Sequence, residues 1–152
     1  MPSEKLRTFL NGGISVIVAT VDADGVPSCC RGVAIDSKDD FDSVTVYVPA
    51  ATAGETVANL ATTRRIAVSC TEPLSHHSIQ IKGLTRGVKL AASQDREFVA
   101  QRLEAFADTL DSFGLPRTVT RSLTHWPAFA IEVSVEQVFD QTPGPKAGEE
   151  LR

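Results

Sequence analysis

The chain has 152 residues, of which 42% are hydrophobic and 22% are charged, and its formal net charge is -4. This length and composition are typical of one water-soluble globular domain that buries a core of its own. The acidic balance argues against a general binder of nucleic acid or anionic membranes, and no apolar run reaches the roughly 20 residues that span a bilayer.

The first third of the chain predicts a short helix followed by a hairpin. An apolar stripe at helical spacing begins after Ser3, which we expect to cap the helix. A very apolar strand follows over residues 14–21. Residues 22–25 end in the Asp-Gly pair of a tight turn, so a second strand over 26–35 is expected to run antiparallel to the first.

The middle of the chain predicts a strand, a capped helix and two more strands. Residues 43–48 are β-branched and aromatic, which favours a strand. Thr52-Ala-Gly-Glu55 has the S/T-x-x-E pattern of a capping box, so a helix is expected to start at Thr52. Strands follow over 66–70 and 78–83. The helix N-terminus therefore lies between strands, with free amides that can bind an anion.

The last part of the chain continues the strand to residue 90 and then predicts a long helix capped by Ser93. A polar connector over 116–124 leads to a final strand over 128–135. The tail over 139–152 is rich in Pro and Gly and is expected to be extended. The sequence thus predicts one α+β domain over residues 1–152, mostly β, with a mostly antiparallel, barrel-like sheet and flanking helices.

The cysteines and histidines do not predict a metal site. Cys29 and Cys30 are adjacent, so on a strand they point to opposite faces, and Cys70 is distant. Adjacent His76 and His77 diverge for the same reason. With Glu4 in an N-terminus that lacks a long apolar segment, we expect no signal peptide and predict a reducing, cytoplasmic location.

The order of the motifs resembles the pyridoxamine 5′-phosphate oxidase-related, FMN-binding split-barrel superfamily. The resemblance rests on the hairpin at 20–27, the Asn-Leu pair of the middle helix, the Arg-Arg-Ile-Ala-Val segment at 64–68, the strand 79–83 and the closing segment 139–145. It implies a six-stranded split barrel and a homodimer. It also implies one FMN in each of two clefts at the dimer interface.

The resemblance further implies which residues bind the cofactor. Arg31 occupies the position of a basic phosphate-binding residue on the second strand, and hydroxyls and amides of the loop before the middle helix complete the phosphate site. The strand after residue 78 lines the flavin ring. The predicted cofactor-binding residues are Arg31, Gly32, Val33, Thr52, Gly54, Thr56, Gln80 and Lys82.

Several alternatives stay open from the sequence. Arg31 could instead form an ion pair with an acidic residue of the loop at 36–42. Many family members have a Lys near the position of Glu55 or Thr56, and this chain lacks it. The predicted function is a flavin-dependent oxidoreductase that reacts with a small molecule or a reduced nicotinamide; no catalytic residue is assigned. The alternatives are a protein that handles a deazaflavin or haem, and a non-enzymatic binding protein that has lost flavin.

Overall fold

A computed structural model of the chain describes residues 3–37 and 40–152, with the side chain of Ser3, and so its predicted capping role, outside the described part. In this part of the chain the elements are, in order, α1 (Ser3–Leu10), β1 (Ser15–Val21), β2 (Pro27–Gly32), β3 (Ala34–Ser37), β4 (Ser43–Pro49), α2 (Gly54–Thr63), β5 (Arg65–Thr71), β6 (Ser78–Leu90), α3 (Asp95–Asp111), α4 (Arg117–Arg121) and β7 (Ala128–Asp140).

The described strands form one antiparallel sheet in the order β2-β1-β5-β6-β7-β4-β3, curled into a half-barrel with flanking helices. The predicted antiparallel architecture is confirmed, but the sheet has seven strands and not six. The predicted strand over 26–35 breaks at Val33, whose amide donates to the carbonyl of Tyr47 at 2.9 Å. There the chain leaves its partner β1 and joins β4, so β2 and β3 pair with different strands.

The turn between β1 and β2 has the predicted tight geometry. The carboxylate of Asp22 accepts hydrogen bonds from the amides of Asp24 and Val26 at 2.9 and 2.8 Å. Gly25 has a φ of 82°, in the left-handed region that a glycine adopts readily. The hairpin predicted from the Asp-Gly pair is therefore confirmed.

Strand alternation sorts the side chains into an interior and an outer face. On β1, Val16, Val18 and Thr20 are buried, whereas Ile17 between them is 40% exposed. The interior is filled mainly by aliphatic side chains from all of the strands except β2, together with Leu60 from α2. A second apolar cluster lies between the sheet and α3, and it includes Tyr47, Val99 and Trp126.

The helix caps predicted at Thr52 and Ser93 are wrong. α2 begins at Gly54 with Ala53 as N-cap and without a side-chain capping bond. Thr52 instead belongs to the turn after β4, because its amide and its hydroxyl both donate to the carbonyl of Pro49, at 3.1 and 3.4 Å. α3 begins at Asp95, and it too lacks a side-chain cap.

The connector and the tail also differ from simple loops. The connector over 116–124 contains α4, and the tail turns back along β7, where the amide of Leu151 donates to the carbonyl of Val138 at 2.7 Å. Within residues 3–37 and 40–152, none of the helices is both long and apolar enough to cross a membrane.

Candidate functional site

The outer face of the sheet carries three of the predicted binding residues in two neighbouring rows. The strand register aligns Arg31, Ile17, Ser69 and Gln80 across β2, β1, β5 and β6. Three strand spacings separate the ends of this row, about 14 Å along the sheet. Arg31 and Gln80 are therefore far apart in sequence but share one surface.

The second row contains small side chains at its centre. Its members are Cys29, Ala19, Ala67, Lys82 and Gln137. A cavity of about 450 Å³ opens at this row and extends towards Gly83 and Glu136; Lys82 lines it, whereas Arg31 and Gln80 lie outside its lining. Ala19 and Ala67 lie between Cys29 on one side and Lys82 and Gln137 on the other. Because their side chains are small, a flat group has room to lie against the strands there.

Arg31 lies half-buried at one edge of this surface. Among the residues that the structure describes, its guanidinium makes only long contacts, at 3.4 Å each, with the carbonyl oxygens of Gly32 and Thr124. Burial lowers the pKa of this arginine, because the charged group has lost part of its hydration. Among the described residues no carboxylate pairs with it, so the alternative of an ion pair with Asp36, Asp40 or Asp42 is not seen.

Gln80 and Lys82 lie near the opposite edge of the surface. The Gln80 amide nitrogen contacts the hydroxyl of Ser69 at 3.4 Å. The ammonium of Lys82 lies 4.7 Å from the ring centre of Phe139, over its face. Both side chains are available to a ligand on the outer face, and their role in binding stays a prediction.

Gly32 and Val33 have packing roles in the structure. A Cβ on Gly32 would lie 2.7 Å from Cγ1 of Val16, so the barrel interior has no space for a side chain there. Val33 is buried against α3. Neither presents a side chain to the outer face; their backbone role in binding stays a prediction.

The predicted residues of the α2 segment are divided between surface and interior. Thr52 and Gly54 are exposed near the start of the helix, together with the acidic side chain of Glu55. Thr56 is 2% exposed, and its hydroxyl lies 3.1 Å from the thiol of Cys30. Thr56 and Arg31 therefore approach β2 from opposite faces.

A buried polar cluster beneath α2 was not predicted from the sequence. The side-chain amide of Asn59 donates to the hydroxyls of Thr20 and Ser28 at 3.1 and 3.0 Å. The alternation of β1 and β2, with one hydroxyl on each strand facing the interior, is the only sequence signal for it. The cluster fixes the helix to the hairpin that carries Arg31.

The described residues contain no group of three or more His, Cys, Asp or Glu side chains that could hold a metal ion. His77 lies 3.0 Å from the Thr142 hydroxyl and packs edge-on against Phe9. His125 contacts the carbonyl of Leu123 at 3.1 Å. These histidines are held by contacts within the chain.

A family model described as pyridoxamine 5′-phosphate oxidase matches residues 2–141 of the sequence. No curated protein matches the sequence at a significant level. The family model therefore covers most of the chain, including both rows of the outer face.

Solved structures with the same fold are distant in sequence. HupZ of Group A Streptococcus superposes with a TM-score of 0.59 at 19% identity, covering 97% of this chain and all of that one. An FMN-binding protein from Syntrophomonas wolfei gives 0.55 at 15% identity, covering 90% and 83%. HutZ, the heme storage protein of Vibrio cholerae, gives 0.51 at 13% identity, covering 91% and 94%. At these identities the likeness concerns the fold alone.

Proposed function

The chain belongs to the pyridoxamine 5′-phosphate oxidase family, and from this premise we propose that it binds FMN on the outer face of the sheet and acts as a flavin-dependent oxidoreductase. The split-barrel neighbours include an FMN-binding protein, an F420 reductase and a heme storage protein, so the choice of flavin rests on the family and on the residues of the outer face.

The environment of Arg31 is the observation that carries the proposal. A half-buried guanidinium with only two long contacts to carbonyl oxygens is poorly compensated for its lost hydration. Its planar set of donors matches the oxygens of a phosphate. The first turn of α2 offers free amides to an anion, whereas the exposed Glu55 opposes one there; that these amides share a phosphate with Arg31 stays a prediction.

The residues of the outer face fit the rest of the cofactor. A cavity of about 450 Å³ lies within the size range of small-molecule sites. Ala19 and Ala67 permit close approach to the strands, and Gln80 and Lys82 would donate hydrogen bonds to polar atoms of the ring. When bound, FMN would supply the redox chemistry, and these side chains would bind and orient it.

We also propose that the protein is a homodimer with the cofactor between the subunits, and that a reduced nicotinamide or another small molecule reaches the ring. The exposed Ile17 and the small residues beside it make the outer face suited to contact with a second copy. A cytoplasmic location is likewise a prediction.

The role of Arg31 is tested by comparing FMN with riboflavin, which lacks the phosphate. The wild-type protein is expected to bind FMN more tightly than riboflavin. Arg31→Ala should lower FMN affinity about tenfold or more, the value of one charged hydrogen bond, and leave riboflavin affinity unchanged. Flavin fluorescence titration measures both constants.

Arg86→Ala is the matched control, since Arg86 is exposed and, within the described part of the chain, its guanidinium contacts Ser134 and Glu132 on β7. It removes the same charge without touching the outer-face rows, so FMN affinity should not change. Equal losses of FMN and riboflavin in Arg31→Ala would contradict a phosphate contact. A wild-type protein that takes up haem or a deazaflavin but no FMN would favour those alternatives.

A further inference from the structure

A second cavity lies on the other side of the half-barrel, where α3 begins. Its volume is about 410 Å³. Its floor consists of two cross-strand rows of β4, β7 and β6, one formed by Tyr47, Ala130 and Lys89 and the other by Thr45, Glu132 and Gly87. The small residues in these rows give the cavity its depth. It shares no lining residue with the cavity of the proposed flavin face.

Tyr47 is a buried side chain whose hydroxyl has no partner among the described residues. It is 6% exposed, and its ring packs against Phe98 with the centroids 5.8 Å apart. Nothing in the described part of the chain forms a hydrogen bond with the hydroxyl, although Tyr47 lines the cavity. The hydroxyl oxygen itself is not cut off from solvent, so it opens into the cavity, where it can form a hydrogen bond with a ligand.

The charges near Tyr47 favour a cation. Burial, followed by the carboxylates of Asp95 and Asp36, raises the pKa of Tyr47 to about 12, so the phenol stays neutral and its oxygen can accept a hydrogen bond. Asp95 lines the same cavity. One of its carboxylate oxygens accepts from the amide of Ala92 at 3.1 Å, and the other has no partner among the described residues.

Lys89 gives the cavity two unlike ends. It lies in the same row as Tyr47 with Ala130 between them, so the two Cα atoms are separated by two strand spacings, about 10 Å. Glu132, at 3.9 Å from Arg86, lies in the neighbouring row. The carboxylates of Asp95 and Asp36 make the Tyr47 end of the cavity negative, whereas the exposed ammonium of Lys89 lies at the opposite rim.

We propose that this cavity binds a small molecule with a primary ammonium group, which donates hydrogen bonds to the Asp95 carboxylate and to the Tyr47 hydroxyl oxygen. The ligand is either a simple amine or an amino acid. In an amino acid whose carboxylate lies several bonds from the ammonium, that carboxylate pairs with Lys89. This site is independent of the flavin proposal, because its recognition uses none of the outer-face residues.

Isothermal titration of the full chain without flavin tests the proposal with three probes: n-butylamine, 5-aminopentanoate and pentanoate. The two ammonium compounds should bind and pentanoate should not. Tyr47→Phe keeps the packing against Phe98 and should weaken binding about tenfold, the value of one hydrogen bond to a charged group. Asp95→Asn keeps an oxygen for the Ala92 amide and should weaken binding at least tenfold.

Glu97→Gln is the matched control, because Glu97 is an exposed acid of the same helical turn and does not line the cavity. It should leave affinity unchanged. Tyr47→Phe should not lower the thermal midpoint, since the lost hydroxyl has no partner among the described residues. Lys89→Ala distinguishes the two kinds of ligand. If the site takes an amino acid, this variant should bind 5-aminopentanoate more weakly than the wild type does. If the site takes a simple amine, its affinity for 5-aminopentanoate and for n-butylamine should not change.

Three results would overturn the ammonium site. The first is that none of the probes binds at millimolar concentration. The second is tighter binding of pentanoate than of n-butylamine. The third is that Tyr47→Phe and Asp95→Asn both bind as the wild type does.

Discussion

The three cysteines occupy three different environments, and their reactivity should differ accordingly. Cys29 is exposed on the outer face, Cys30 is half-buried beside Thr56, and Cys70 is fully buried. Burial raises the pKa of Cys30 and raises the pKa of Cys70 to about 12. Because the thiolate is the reacting species, we expect a thiol reagent at pH 8 to modify Cys29 first, Cys30 slowly and Cys70 only after unfolding.

The raised pKa of Cys70 also gives a pH dependence of stability. In the unfolded chain this thiol ionises near its ordinary pKa of 9.0, whereas in the folded protein it stays protonated up to about 12. Above pH 9 the unfolded state therefore loses a proton that the folded state keeps, and stability falls as the pH rises from 9 towards 12. Denaturation of Cys70→Ala should show a weaker decline over this range. An equal decline in both proteins would contradict the assignment.

At the scale of single residues the sequence predicted exposure better than contacts. Alternation on the strands indicated that Gln80 and Lys82 share a face, and the register agrees. The partner of Thr56 could not be predicted, because the Cys30 thiol that contacts it comes from a strand 26 residues earlier. Long-range contacts of this kind depend on how α2 docks, which the local pattern does not determine.

At the scale of elements, β6 contains two glycines whose replacement by alanine should affect stability very differently. A Cβ on Gly83 would overlap the carbonyl oxygen of Ser134 on β7, at a point where the register shifts, whereas a Cβ on Gly87 would meet nothing within 4 Å. Gly83→Ala should therefore destabilise the protein by about 3 kcal/mol or more, because backbone must move. Gly87→Ala should change stability by less than about 1 kcal/mol.

Urea denaturation of the two alanine variants provides the measurement. Both substitutions add the same methyl group to the same strand, so the difference between them reports the local backbone contact. Similar midpoints for Gly83→Ala and Gly87→Ala would contradict the close approach of β6 and β7 at this position.

Element types were predictable from local sequence, but helix ends and one strand break were not. The spacing of apolar residues identified α2 and α3. Thr52 and Ser93 do not cap these helices, because Ala53 and Gln94 occupy the N-cap positions. The break at Val33 is also invisible locally, because it arises where the strand exchanges one partner for another across the barrel.

At the scale of the whole molecule, the outer face is the expected subunit interface. Ile17 is 40% exposed at the centre of the first row, next to Arg31 and Ser69. Ile17→Glu should give a monomer of 16.3 kDa where the wild type gives twice that mass, because removing a carboxylate from water at the contact costs more than its pairing with the neighbouring Arg31 returns. Light scattering coupled to size exclusion measures the mass.

Leu90→Glu serves as the control for the dimer, since Leu90 is 62% exposed at the far end of β6 and lies outside both rows. It should remain dimeric. A monomeric wild type, or an Ile17→Glu variant that keeps the dimer mass, would contradict the proposed interface.

The family and the antiparallel architecture could be inferred from the order of motifs along the whole chain, whereas the site could be inferred only in part. The two rows of the outer face depend on the register of five strands, which places Arg31 opposite Ile17 and Gln80 opposite Ser69. The cavity at Tyr47 depends on where α3 crosses the sheet. Neither arrangement is encoded in a local pattern.

The most direct test of the proposed function is the absorption spectrum of the protein as purified, read again after addition of FMN. The proposal predicts the two flavin bands in the near-ultraviolet and the blue, either at once or after FMN uptake, and their bleaching when a reduced nicotinamide is added. A Soret band, or a colourless protein that takes up no FMN at micromolar concentrations, would contradict an FMN-dependent oxidoreductase.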